Sequence, residues 1–328
     1  MLGLSVLALS ATAMIAVATS AASAIAVRMG AARLAEMEPT ARARLMLIAS
    51  VLPLLVAVGV MAAAFAPSFG WVLDHCGDGA RFLDPHAHPH LCAEHPGSGL
   101  PPWTLVVIAG LFAGRLGWFA LAAAYRSVQG LEAAQALRRA SSAAPEVHPK
   151  ARVLPLPEPH AFVFGTFVPA MYVSESLLKG PAAEHLAAVV AHEAAHIRRN
   201  DALWRSVAAL AAAFHLPFVS RRRQADLVLA QEMVADRDAA VCVRSAESVA
   251  SAIVALSRLR LSTPAAAIAF GGASAETRVR ALLSDTVPAR GPSKRRVACV
   301  AASFVVVLGA AAGSVHHAVE HVLGFFAG

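Results

Sequence analysis

Long apolar stretches separated by polar segments dominate the pattern of the chain. The apolar stretches cover residues 1–27, 45–66, 103–125 and 297–323. Each is long enough to cross the hydrocarbon core of a bilayer as a helix, which takes about 20 residues. A cleaved signal peptide is the alternative for the first stretch, but no basic residue precedes its long apolar run. The pattern therefore predicts an α-helical membrane protein with four transmembrane helices.

The basic residues between these stretches predict the orientation in the membrane. Four arginines lie in segment 28–44, and segment 126–296 has basic residues beside both flanking stretches, whereas segment 67–102 has only Arg81. Lys and Arg close to membrane spans favour the cytoplasmic side. We therefore expect segments 28–44 and 126–296 in the cytoplasm of a bacterial cell. Segment 67–102, the tail 324–328 and both chain termini are then expected outside the inner or plasma membrane.

Composition agrees with a membrane protein and argues against a nucleic-acid-binding one. Of the 328 residues, 57% are hydrophobic and 15% are charged, well below the roughly 25% charged residues of a typical soluble domain. The net charge of +7 is the property that could suggest nucleic-acid binding. Because basic residues of membrane proteins gather in cytoplasmic loops, we expect no direct binding of nucleic acid.

Segment 126–296 is long enough to form a domain between the third and fourth spans. Aromatic and β-branched residues at 161–173 predict a strand, and Pro169, which cannot donate a ladder hydrogen bond, makes it a bulged or edge strand. Helical patterns cover 127–139, 181–199, 202–219 and 225–243. The segment is therefore predicted to be an α+β domain.

A set of metal-binding residue types lies on two of these helices. His192 and His196 are four residues apart and share one helix face, and Glu193 is adjacent to that face. The later helix carries Glu232 and Asp236, again four residues apart. A catalytic zinc takes three protein ligands and keeps one position open, so Glu232 can be the third ligand and Asp236 can hold a ligand histidine. The alternative is a surface helix whose polar residues coincide with this spacing by chance.

These segments together resemble the BlaR/MecR-type membrane metallopeptidases. The resemblance lies in residues 162–173, in His192 to Asp201 and in Glu232 to Asp236, and the four-span layout also matches. It implies a gluzincin-type metalloprotease domain with one catalytic Zn²⁺. His192, His196 and Glu232 would bind the zinc, Glu193 would act as the general base, and Asp236 would support a ligand.

The resemblance also implies a substrate and a mode of substrate binding. A substrate would add as an extended strand along 161–173, with Phe164, Gly165 and Tyr172 as candidate binding residues. The implied substrate is a cytoplasmic transcriptional repressor, here expected to be a winged-helix protein, that is cut after an external signal. The sequence shows no penicillin-binding sensor domain after the fourth span, so direct β-lactam sensing is not expected. An HtpX-like quality-control protease and a catalytically silent membrane receptor remain alternatives.

The external loop at 67–102 carries further chemistry. Cys76 and Cys92 could form a disulfide if the loop faces an oxidising compartment. His86, His88 and His90 alternate and would point the same way in an extended segment. One hypothesis is therefore an external metal ion bound by this loop, and the alternative is a polar loop with solvated histidines.

Overall fold

The computed structural model describes residues 2–66, 102–261, 272–284 and 289–327. Helices α1 (Leu2–Met29), α3 (Pro39–Phe65) and α4 (Trp103–Arg139) are long and apolar enough to cross a membrane, and α2 (Ala31–Glu36) lies between the first two. The fourth apolar stretch forms two helices, α11 (Lys294–Ala310) and α12 (Ala312–Ala327), bent by 76° at their junction. By length and composition, the described residues thus include three helices that could cross a membrane, or four spans if this bent pair crosses as one.

A cluster of buried apolar residues holds four helices together at one end of the helix bundle. Leu7, Ala64, Leu105 and Leu323 are buried against one another. Ser10 Oγ also donates to the carbonyl oxygen of Leu105 at 2.8 Å. The start of α1, the end of α3, the start of α4 and the end of α12 therefore lie at the same end of the bundle.

A small mixed sheet opens the domain that follows α4. Its strands are β1 (Ser142–Ala143), β2 (Ala151–Leu154), β3 (Ala161–Phe164) and β4 (Ala170–Ser174), in the order β1-β2-β4-β3. β2 and β4 are parallel, and the other neighbours are antiparallel.

The segment predicted as one strand at 161–173 is a hairpin of β3 and β4. The chain reverses because Gly165 adopts a φ of +108°, which is accessible to glycine alone among ordinary residues. Pro169 lies in the connection rather than in a strand. In the strand order β1-β2-β4-β3, β3 lies at the edge of the sheet.

The helices of this domain begin and end at residues different from those predicted. They are α5 (Glu175–Lys179), α6 (Leu186–Arg199), α7 (Asp201–Ala211), α8 (Pro217–Val243), α9 (Ala246–Leu261) and α10 (Gly272–Leu282), with a 3₁₀ turn at Pro181–His185 and another at Ala212–Phe214. The predicted helix 127–139 is continuous with the third span in α4. The predicted helix 202–219 is divided: α7 ends at Ala211, a 3₁₀ turn follows, and Pro217 begins α8 at a position in the first helical turn that proline favours.

An apolar core holds the sheet and two of these helices together. The sheet packs against α6 and α9 through a core that includes Met171, Val173, Val189 and Ile253.

The long apolar helix α3 packs against α7 and α8. Met46 of α3 is buried with Leu227 and Val234 of α8. The helix that carries Glu232 is therefore in direct contact with a predicted membrane span.

Arg115 joins α4 to the turn between α7 and α8. Its guanidinium donates to the carbonyl oxygens of Ala212, Ala213 and His215 at 2.6 to 2.9 Å. The guanidinium of this apolar helix is therefore bonded to backbone carbonyls at the end of the 3₁₀ turn, where a helix terminus leaves carbonyl oxygens free to accept further donors.

Candidate metal centre

Helix α6 presents both histidines of the candidate site on one face. Its alanine-rich sequence forms a regular helix, so His192 and His196 lie one turn apart. Their Nε2 atoms are 3.1 Å from each other, and about an eighth of each side chain is exposed. The two ring nitrogens are therefore aimed at the same point.

Helix α8 brings Glu232 to that point. Glu232 Oε2 lies 3.4 Å from His192 Nε2, and Oε1 lies 3.5 Å from His196 Nε2. Ligand atoms of the three side chains all lie within 4.8 Å of one another. Around a tetrahedral zinc with bonds of about 2.0–2.2 Å, neighbouring ligand atoms are separated by about 3.3–3.6 Å. The two separations to Glu232 lie in this range and the 3.1 Å between the histidine nitrogens lies just below it, so the three side chains fit a zinc ion.

A buried aspartate holds the second ring nitrogen of each histidine. His192 Nδ1 lies 2.9 Å from Asp236 Oδ1, and His196 Nδ1 lies 2.7 Å from Asp201 Oδ2. Such partners orient a ligand histidine and present its other nitrogen to the metal. The sequence suggested this role for Asp236, one turn beyond Glu232.

Asp201, the partner of His196, is the first residue of α7. It reaches His196 because Asn200 takes the left-handed conformation, with φ of 53° and ψ of 41°, and turns the chain back at the end of α6. Asn is among the few residues that adopt this conformation readily. Asn followed by Asp directly after the helix of the two histidines is the signal in the sequence that could have indicated this contact.

Two arginines that the sequence reading missed surround the carboxylates. From α10, Arg278 donates to both oxygens of Asp236 at 2.7 Å and lies 3.3 Å from Glu232 Oε2. From α7, Arg205 donates to Glu232 Oε1 at 2.9 Å and to Gln231 Oε1 at 2.6 Å. Each oxygen of Glu232 thus has one arginine and one histidine beside it, which restricts the carboxylate to one orientation.

These contacts shift the protonation of the site. Burial lowers the pKa of His192, but hydrogen bonds to Asp236 and Glu232, together with the charge of Glu193, outweigh it and raise that pKa to about 10. Burial alone would raise the pKa of Glu232, yet His192, His196 and Arg278 bring it well below its usual range. The pKa of Asp236 is lowered against the effect of burial, chiefly by Arg278. Both carboxylates are therefore ionised and suited to metal binding and histidine support.

A cavity of about 320 Å³ opens beside the three ligands. Glu193 and Arg205 line it, and α9 contributes an apolar wall that includes Val249 and Ile253. Glu193 is partly buried and lines this cavity beside the two histidines of α6. The cavity has the size of a site for part of a peptide chain.

The edge strand β3 forms another wall of this cavity. Phe162, Val163 and Gly165 line it, whereas Phe164 and Tyr172 are not among its lining residues. Tyr172 is buried in the sheet, with its ring stacked on Phe162 at 5.5 Å between centroids. Of the three residues named for the substrate-binding strand, the structure brings only Gly165 to the cavity.

The segment predicted to be an external loop, 67–102, lies almost entirely outside the described residues. This applies to Cys76, Cys92 and the alternating histidines at 86, 88 and 90. In α12, His316 and Glu320 are both buried, with Nε2 and Oε1 3.2 Å apart, and His316 Nδ1 donates to the carbonyl oxygen of Ala64 at 2.7 Å. His316 therefore joins α12 to α3.

The comparison with protein families matches residues 123–285 to Peptidase family M48. M48 is a metallopeptidase family whose members are typically zinc-dependent. The match covers the helices that carry His192, Glu232 and Arg278, and it supports a zinc metallopeptidase family of the membrane type. The comparisons with curated proteins and with solved structures found no match.

Proposed function

We propose that this protein is a membrane-bound zinc metalloendopeptidase. The observation that carries the proposal is the arrangement of His192, His196 and Glu232 at the separations of a tetrahedral zinc site, with a buried aspartate behind each histidine. Three protein ligands and an open cavity are typical of catalytic zinc sites, whereas structural sites have four protein ligands. The match to Peptidase family M48 supports the same function.

Glu193 is the proposed general base and acid. When bound, zinc would polarise the scissile carbonyl and lower the pKa of the attacking water. The Glu193 carboxylate would take the proton from that water and pass it to the nitrogen of the leaving amine. Asp236 and Asp201 would keep both histidine Nε2 atoms directed at the metal throughout.

A peptide substrate is proposed to bind as an added strand beside β3. An edge strand has unpaired backbone groups, which can form ladder hydrogen bonds with an extended peptide. β3 lies at the edge of the sheet and lines the cavity through Phe162 and Val163. Backbone pairing of this kind would place a peptide bond of the substrate across the metal position with little dependence on its side chains.

We further propose that the substrate is cytoplasmic, as a BlaR/MecR-type role requires. The positive residues of segments 28–44 and 126–296 support this orientation. The position of both chain termini at the same end of the helix bundle also supports it. Regulated cleavage of a winged-helix repressor is supported by the contact between α3 and α8, because movement of a membrane helix would reach Glu232 directly. HtpX-like quality control is the alternative, in which the same site cuts membrane proteins without a signal.

The test of the enzymatic proposal is Glu193→Gln, with Glu184→Gln as its matched control. Glu184 lies in the 3₁₀ turn preceding α6 and its side chain is exposed. We expect both purified variants to retain one zinc per chain by elemental analysis. Proteolysis of an unfolded protein substrate should fall by at least about 100-fold in Glu193→Gln and stay unchanged in Glu184→Gln. Full activity in Glu193→Gln would rule out the proposed base.

The substrate proposal needs a separate experiment. Co-expression with the winged-helix repressor encoded nearest to this gene should yield repressor fragments with the wild type and none with Glu193→Gln. Intact repressor together with cleavage of misassembled membrane proteins would instead favour quality control.

A further inference from the structure

A second groove lies between α4 and the junction of α7 with α8, away from the metal centre. It has a volume of about 810 Å³. One wall consists of Trp118, Leu121 and Tyr125 of α4, and the opposite wall includes Ala209 and Pro217. The three α4 side chains are each more than 60% exposed, so this apolar surface has no partner among the described residues.

The charged residues of the groove are all positive. Arg126 and Arg221 line it and are exposed, and no carboxylate is among the lining residues that the structure describes. Arg126 Nε donates to the carbonyl oxygen of Ala122 at 3.0 Å, which holds the guanidinium beside the groove. Arg115, the third arginine, is bonded to the backbone carbonyls described above. The groove therefore combines an apolar, aromatic wall with two exposed cations.

This combination occurs where the apolar part of α4 ends. Trp118 and Tyr125 lie in the last turns of the apolar stretch 103–125, and Arg126 directly follows that stretch. Trp and Tyr are enriched at membrane–water interfaces, and basic pockets beside membrane helices bind anionic lipid headgroups. If α4 crosses the bilayer, Arg126 lies near the lipid phosphates and Trp118 among the acyl chains, and Arg221 of α8 lines the same groove as Arg126.

We propose that this groove binds an anionic phospholipid. Its phosphate contacts Arg126 and Arg221, and one acyl chain lies along Trp118 and Leu121. The positive charge without a neighbouring acid selects a negative headgroup over a zwitterionic one. The proposal rests on the proposed insertion of α4 into the membrane, but not on zinc or on proteolysis. The occupant contacts the first turns of α8, the helix that carries Glu232.

The test is native mass spectrometry of the full chain, purified in detergent and titrated with phosphatidylglycerol or phosphatidylcholine. The variant is Arg126→Gln with Arg221→Gln, and the control is Arg138→Gln with Arg139→Gln, which removes the same charge further along α4. At roughly 1 kcal/mol for each basic residue near a lipid surface, the first pair should weaken binding of phosphatidylglycerol about 30-fold. The control pair should leave it unchanged, and replacement of both Arg126 and Arg221 by Lys should restore it.

Three results would overturn the proposal. One is equal binding of phosphatidylcholine and phosphatidylglycerol. Another is an equal loss of phosphatidylglycerol binding in the two double variants. The third is full competition by inorganic phosphate, because a simple anion site needs no acyl chain. Trp118→Ala should weaken binding of the diacyl lipid and leave binding of glycerol phosphate unchanged. Performing every titration in the Glu193→Gln background separates these outcomes from any failure of the protease proposal, since lipid binding needs no catalysis.

Discussion

Zinc and a proton should compete for Nε2 of His192. In the metal-free site this ring has Asp236 Oδ1 2.9 Å from Nδ1 and Glu232 Oε2 3.4 Å from Nε2, and its pKa is raised to about 10. At pH 7 the ring is therefore an imidazolium with a proton on each nitrogen. Zinc requires a free electron pair at Nε2, so its binding must release that proton.

The size of the effect follows from the pKa. Since pH 7 lies about three units below a pKa of about 10, deprotonation costs about 4 kcal/mol at that pH. The apparent zinc dissociation constant should fall about tenfold for each unit of pH from about 7, and level off near pH 10. Because the folded pKa of His192 is raised, its protonated form stabilises the metal-free protein fully below about pH 6.5. That stabilisation is lost as the pH rises towards 10, so zinc binding and metal-free stability should change in opposite directions.

Chelator competition between pH 6.5 and 9, corrected for the protonation of the chelator, measures the slope. Calorimetry in two buffers of different ionisation enthalpy counts the protons released. Asp236→Asn removes the hydrogen bond that contributes most to raising the pKa of His192. The pH dependence of zinc affinity should therefore level off at a lower pH in this variant than in the wild type. Protonation of Glu193 and of a water at the metal should contribute equally to the slope in both proteins. The difference between the two slopes therefore reports on His192. A pH-independent wild-type affinity, or the same slope in both proteins, would refute the reasoning.

Three further predictions concern the support of the site and the fold. Asp201→Asn should weaken zinc binding about 10- to 100-fold by chelator competition, since His196 loses its charged partner; an unchanged affinity would show that the 2.7 Å contact has no role. Gly165→Ala should lower stability by about 1–3 kcal/mol, because φ is +108° and the new Cβ would lie 2.6 Å from Val168 O. Gly130→Ala, which meets nothing within 4 Å in a helix, should instead raise the melting temperature. Leu227→Ala, buried between α8 and α3, should cost about 2–5 kcal/mol; a melting temperature equal to wild type would contradict that packing.

The sequence alone determined those features that depend on local periodicity. A spacing of four residues placed His192 and His196 on one helix face, and the same spacing linked Glu232 to Asp236. The apolar stretches predicted the helices α1, α3 and α4, because crossing a bilayer demands a minimum length of apolar helix. These inferences succeeded because helix geometry relates sequence separation directly to position in space.

Tertiary structure decided everything that depends on residues distant in the chain. Arg278 lies 42 residues beyond Asp236, and its pairing with that carboxylate leaves no periodic trace in the sequence. Asp201 is close in sequence, yet it contacts His196 only because Asn200 turns the backbone into the left-handed region. The hairpin of β3 and β4 likewise depended on one dihedral angle at Gly165. Long-range pairing and single-residue turns are chosen by the energy of the packed chain as a whole, which no local pattern contains.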